Sequence, residues 1–281
     1  MLAVVVAAGL VAVGGVGAGT APARDTPAPA GPALAEAPPG WVPSVAEAAA
    51  FAATRAGAVS FSVRTPLQAW ELFGDQQEPS ASVVKAMLLT AYLRRPSVST
   101  RPLTRTETRL LAPMIRKSDN RAATRVRDRI GNAALEQLAR DAGMTGFATD
   151  PIWSRARITA ADQSRFFLAL EGLLPPLHRA TALRWLATIV PSQRWGVGRE
   201  RPAGWRLYFK GGWGSGTGAV NHQVALLALG SWRVSVAVLT TGSPTHEYGN
   251  ATLRGVFHRL LRGLATELVG EARPAGRHLT E

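Results

Sequence analysis

Ser82-Val83-Val84-Lys85 opens an apolar run that reads as a helix through Arg94, and it sets a hydroxyl and an amine three residues apart on one helix face. That spacing alone is common at solvated helix starts. Lysine usage sets this instance apart: Lys and Arg total 32, yet the lysines are only Lys85, Lys117 and Lys210. Arginine keeps its proton in a protein, whereas a buried lysine can become a neutral base. A lysine kept in an otherwise apolar helix therefore points to proton transfer. With Val84, Leu88 and Ala91 on one face and Val83, Met87 and Leu89 beside it, the helix is apolar almost all round and belongs at the centre of the fold.

Before this helix, Ser44 is placed to cap a helix over 45–55, and Val59, Phe61 and Val63 alternate as a strand. The turn Thr65-Pro66-Leu67-Gln68 leads to a second strand at 70–73, completing a hairpin. After it, 104–142 reads as helical with a break at Ser118-Asp119-Asn120, and 143–156 as a loop. Thr159 caps a helix to Glu171, and Pro175-Pro176 opens another to about Ile189. Strands follow at 205–209, 220–229 and 232–240, with Gly230-Ser231 as a tight hairpin, and Asn250 is placed to cap a last helix. Two early and three late strands around a helical insert predict an α+β fold of three α/β/α layers. It comprises a five-stranded antiparallel sheet flanked by terminal helices, with an inserted all-helical lobe. The α/β lobe spans 44–80 plus 203–270 and the helical lobe 81–202. The cleft between them is the expected substrate site.

At 281 residues with 46% hydrophobic content and 8 Trp, the chain is globular and large enough for a sizeable core. The net charge of +13 falls on scattered arginines with no basic run interleaved with aromatics. Nucleic acid is therefore not indicated, and the charge reads as Arg-rich coding bias or as contact with an anionic cell envelope. Absence of cysteine excludes disulfides, thiolate zinc sites and a lipidated cysteine. His178, His246, His258 and His278 lack metal-ligand spacing and read as surface or packing residues. No G-x-S-x-G, H-E-x-x-H or P-loop occurs, so no metal or cofactor is expected. Residues 1–23, an apolar run ending in Ala21-Pro22-Ala23, read as a signal peptide, with an uncleaved anchor as the alternative. A secreted or cell-envelope monomer is expected, with 24–43 as an Ala/Pro-rich linker and 271–281 as a tail.

Ser82-Val83-Val84-Lys85, Ser118-Asp119-Asn120 and Lys210-Gly211-Gly212 occur in this order, using two of the three lysines. The set resembles that of the penicillin-recognising serine enzymes, class A β-lactamases most closely, whose motifs are S-x-x-K, S-D-N and K-T-G. The likeness runs from about Val45 to Leu264 and implies the β-lactamase/transpeptidase-like version of the predicted fold. It makes Ser82 the nucleophile and Lys85 its base, with Lys210 the second cation that helps keep Lys85 neutral. Lowering a lysine to near 7 or 8 costs roughly 4 kcal/mol, which burial and a neighbouring cation can supply. The resemblance also gives Ser118 the proton delivery to the leaving nitrogen, and Asn120 the task of holding Lys85 and the substrate amide. Backbone N–H groups of Ser82 and Trp213 would form the oxyanion hole, and Gly212 would admit the substrate.

Three departures limit the resemblance. The family releases its acyl-enzyme with a glutamate in Glu-Pro-x-Leu-Asn, whereas this chain reads Asp150-Pro151-Ile152-Trp153-Ser154. Asp150 is the candidate deacylation base, one methylene shorter, and its alternative role is to start a turn. Gly211 replaces the family Thr or Ser that helps hold a substrate carboxylate, and His222 or Asn221 are the candidates to compensate. The interval from Lys85 to Ser118 is short. The expectation is thus a serine hydrolase acylated at Ser82 by a β-lactam or related amide. A peptidase acting on peptidoglycan stem peptides of the D-Ala-D-Ala type and a non-catalytic cell-wall binder are the alternatives.

Overall fold

Alternating apolar residues build a sheet whose two faces meet different helices. The computed structural model describes residues 36–264 apart from 215 and 217. The expected signal peptide and tail lie outside the described residues. In chain order the elements are α1 (Val45–Ala53), β1 (Ala58–Arg64), β2 (Ala69–Leu72), β3 (Glu78–Pro79), α2 (Lys85–Leu93), α3 (Pro96–Ser99), α4 (Arg105–Arg116), α5 (Asn120–Asp141), β4 (Arg157–Ile158), α6 (Ala160–Leu173), α7 (Pro176–Ala187), β5 (Arg206–Gly214), β6 (Val220–Leu229), β7 (Trp232–Thr241) and α8 (His246–Leu260). Five strands form one antiparallel sheet, as expected, and the structure sets their order as β2-β1-β7-β6-β5.

Register assigns the faces. Ser62, Ala237, Val224 and Lys210 pair across four strands and share one face. On that face Ser62 Oγ lies 2.7 Å from Ser164 Oγ of α6, and Ser235 Oγ donates to Ser164 O at 2.6 Å. The other face carries Asn221 and Gln223 and meets α8, where a Cβ on Gly249 would lie 2.2 Å from Asn221 Oδ1. Helix α1 packs across α8. Both faces are therefore covered, and β6 is buried from Val220 through Ala228, so its pattern is continuous rather than alternating.

Helix α2 is the centre of the other half. All its residues are buried, and it packs on α4, α5 and α7. Its entry differs from the expected single helix from Ser82, because Ala81–Val84 forms a tighter 3-10 turn before Lys85. The insert also holds the strand β4, paired with β3 through Glu78 and Ile158, so it is not purely helical.

Several boundaries differ for local reasons. Ser44 precedes α1 without a side-chain capping bond. Thr245 rather than Asn250 caps α8, its hydroxyl accepting from Tyr248 N at 3.0 Å, because the helix starts earlier than the apolar pattern does. Helix α5 is interrupted at Gly131, whose φ of 72° is open to glycine. Thr159 does cap α6, accepting from Asp162 N at 3.0 Å. The end of the expected linker packs onto the domain: Trp41 is buried and donates Nε1–H to Arg262 O at 3.0 Å. One large apolar ring is enough to dock a stretch that composition alone reads as unstructured.

Candidate active site

The 3-10 turn carries Ser82 to the end of strand β5. Ala81 enters it at a φ of 44°, a conformation an alanine occupies only under constraint. A Cβ added to Gly212 would stand 2.7 Å from Ser82 N and 2.9 Å from Val83 N. Any side chain there would force the strand from the turn, so glycine is required for this close approach. Ser82 keeps a narrow opening to solvent, whereas Lys85, at the first position of α2, is fully buried.

Between α4 and α5 the chain reverses at Ser118, with φ 58°. Asp119 caps α5, its Oδ1 accepting from Ala122 N at 2.9 Å, which leaves Asn120 in the first turn facing α2. The left-handed backbone of Ser118 turns both its carbonyl and its hydroxyl to Lys85. Lys85 Nζ donates to Ser118 O at 2.6 Å, to Asn120 Oδ1 at 2.7 Å and to Ser118 Oγ at 3.0 Å. From the sheet, Lys210 Nζ donates to the same Ser118 Oγ at 3.2 Å and to Gly211 O at 2.7 Å. Ser82, Lys85, Ser118, Asn120 and Lys210 thus come from the 3-10 turn, α2, the reversal between α4 and α5, α5 itself and β5. Among the described residues the three hydrogens of a Lys85 ammonium are taken by Ser118 O, Asn120 Oδ1 and Ser118 Oγ rather than by Ser82 Oγ.

Burial sets the electrostatics. Loss of water around the Lys85 ammonium lowers it from 10.5 to about 7, only partly opposed by the Asp119 carboxylate. Burial, with the charge of Lys85 nearby, pushes Lys210 well below its ordinary value. Carbonyl oxygens and the Trp153 ring, 4.8 Å from Lys85 Nζ, offset part of this cost. An amine half-deprotonated near neutral pH donates its two hydrogens to the two closest oxygens, Ser118 O and Asn120 Oδ1. Its lone pair is then free to accept a proton from a hydroxyl.

The loop after α5 closes the other wall. Asp150 Oδ1 accepts from Ile152 N at 2.7 Å, so this carboxylate holds a turn of the loop. The cleft at Ser82, about 150 Å³, is lined by Ala81, Asn120, Trp153, Ser154, Trp213, Gly214 and Gly216, and Asp150 is not among them. Trp153 and Ser154 went unassigned in the sequence because nothing local says which loop residue turns inward. Trp153 is fixed by its Nε1–H donating to Thr124 Oγ1 at 3.1 Å. Neither candidate to replace the hydroxyl missing at Gly211 is free. His222 is buried with Nε2 3.0 Å from Pro79 O while Nδ1 accepts from Thr240 N at 3.1 Å, and burial lowers its pKa to about 4. Asn221 Nδ2 lies 2.7 Å from His246 Nδ1. A larger hollow of about 790 Å³ lies along α7 and the start of β5, walled by Arg179, Arg184, Arg194, Arg201 and Arg206, and does not contain Ser82.

A five-stranded antiparallel sheet covered by helices, with a serine and two buried lysines where one edge strand meets the helical insert, defines an α+β fold of the β-lactamase kind. The profile of the β-lactamase enzyme family matches residues 99–256, more than half of the 281 residues, and the chain belongs to that family. Ser118 and Lys210 lie inside the matched span and Ser82 and Lys85 before it. Among solved structures, the β-lactamase from Sphaerobacter thermophilus DSM 20745 is similar with a TM-score of 0.69 at 22% identity, over 83% of this chain and 99% of that one. An ancestral class A β-lactamase gives 0.66 at 22% identity, over 78% and 98%. The β-lactamase from Desulfarculus baarsii DSM 2075 gives 0.63 at 24% identity, over 76% and 96%. These likenesses bear out the predicted fold. No curated protein sequence matches the chain.

Proposed function

We propose that this protein is an exported serine hydrolase that is acylated at Ser82 by a β-lactam or a related amide. The observation that carries the reading is the shared hydroxyl of Ser118, held between a lysine near neutrality and a second buried lysine. In this reading Ser82 Oγ attacks the substrate carbonyl while its proton passes to the lone pair of Lys85. The amides of Ser82 and Trp213 receive the oxyanion. As the C–N bond breaks, the Ser118 hydroxyl gives its proton to the leaving nitrogen and recovers one from the neighbouring ammonium. Export rests on the composition of residues 1–23, and contact with an anionic envelope polymer on the five arginines along α7, the start of β5 and the segment between them.

Release is the slow half of this cycle. Family members use a carboxylate to activate the deacylating water, and here an indole lies over Lys85 while Asp150 serves its own loop. The arrangement favours a long-lived acyl-enzyme, which also suits a peptidase of stem peptides that transfers or releases its acyl group slowly. Incubation with a labelled penicillin followed by peptide mass mapping tests the proposal. Mass added at Ser82, absent from Ser82→Ala and persisting for minutes after excess ligand is removed, is expected. Absence of an adduct on folded protein refutes it.

A further inference from the structure

Gly211 is one of the places where the chain departs from its family, and its surroundings explain why. Along β5 the side chains alternate, so Lys210 and Gly212 face Ser118 and Ser82 while Gly211 and Trp213 face the opposite way. A Cβ on Gly211 would lie 3.0 Å from Trp195 Cη2 and 3.2 Å from Cζ2. The Trp195 ring therefore stands against the strand where a threonine side chain would project. Its segment is pinned to the sheet, since Gln223 Nε2 donates to Trp195 O and Val197 N donates to Gln223 Oε1, both at 2.8 Å.

Trp195 in turn supports Trp213. Their ring centroids are 5.8 Å apart at 85°, and His246 stands 5.4 Å from Trp195 and 5.6 Å from Trp213. Held this way, the Trp213 ring remains 37% exposed. It borders both the Ser82 cleft and a second hollow of about 340 Å³ lined by Asn221, Thr245 and His246 among others. In a chain with 32 Lys and Arg, none of the described residues lining either hollow is Lys, Arg, Asp or Glu. Lys210, the nearest cation on this strand, is buried and committed to Ser118 Oγ and Gly211 O. A carboxylate brought there would lose water without gaining a cation, whereas a flat or apolar group would gain an aromatic wall.

We infer that the Trp195, Trp213 and His246 wall selects acyl donors whose leaving-group side is uncharged and planar or apolar, over donors that carry a carboxylate beside the scissile bond. This rests on Ser82 being the acylated residue, so the test reads recognition with and without acylation. The first arm compares a penicillin free acid with its methyl ester by the rate of mass addition at Ser82. The second titrates hippurate and hippurate methyl ester into Ser82→Ala, following tryptophan fluorescence. In both arms the ester is expected to be favoured at least tenfold, and Trp213→Ala to cut that preference several-fold, with Trp213→Phe retaining most of it. Equal or stronger recognition of the acids in the second arm overturns the inference even if Ser82 is acylated, as does an ester preference that survives both Trp213→Ala and Trp195→Ala. No acylation in the first arm with ester-selective binding in the second refutes the acylation reading and leaves the wall's selectivity supported.

Discussion

Replacing Lys85 by Met tests the neutral-lysine mechanism with two independent readouts. The side chain is fully buried and its value falls from 10.5 to about 7, a difference of about 5 kcal/mol between its protonated and neutral forms. Near pH 6 about a tenth of the molecules carry the neutral amine, at pH 7 about half, and at pH 8 about nine tenths. The acylation rate of the wild type should therefore climb about ninefold from pH 6 to 8 and then level off. Lys85→Met, unbranched and of similar length, should lower that rate by a factor on the order of 100 to 10,000 and remove the pH dependence. Stability reads the same proton without substrate. Because the folded value lies below the unfolded one, the unfolded chain binds more protons between about 7 and 10.5, and stability rises with pH across that window. Between pH 7 and 9 Lys85 alone should add about 2 kcal/mol in denaturant unfolding, an increment missing from Lys85→Met. A wild-type acylation rate that is flat from pH 5.5 to 8.5, or a methionine variant acylated within tenfold of wild type, refutes the reasoning.

Two further perturbations separate chemistry from scaffold. Ser118 holds a φ of 58° while its hydroxyl joins both lysines, so Ser118→Gly should unfold about 1 kcal/mol less readily than Ser118→Ala, with acylation reduced on the order of 100-fold in both; equal stabilities would deny the backbone strain. His222 is neutral, with a folded value of about 4 below the ordinary 6.5, so the unfolded chain binds more protons between these values and stability should fall by about 3 kcal/mol as pH drops across them. Denaturant unfolding of wild type and His222→Gln at pH 7 and 4.5 checks this, since the glutamine variant should lose the part of the slope that His222 contributes.

What was legible in the sequence is what chemistry makes irreplaceable. Lys85 and Lys210 stood out because arginine cannot do what a deprotonated lysine does, and the strand pattern stood out because the covered sheet needs apolar residues at β1, β6 and β7. Thr159 was readable as a cap because its hydroxyl acts within three residues. Features set by contacts distant along the chain were not readable. Trp195 against Gly211, Trp153 over Lys85 and Trp41 on Arg262 join segments whose proximity follows only from the folded sheet. Asp150 shows the same limit from the other side: its type fits a base, but a bond to the amide two residues on keeps it in its own turn. This division has a mechanistic consequence. In the proposed mechanism attack depends on groups whose identity is fixed by proton affinity, so Ser82, Lys85, Ser118 and Lys210 stand out in the sequence. In the same reading release depends on what the loop at 143–156 places over Lys85, and selectivity on Trp213, which borders the cleft and is backed by Trp195. On that reading the chain keeps its attack residues while one indole stands over Lys85 and another against Gly211, the position where the family carries a hydroxyl.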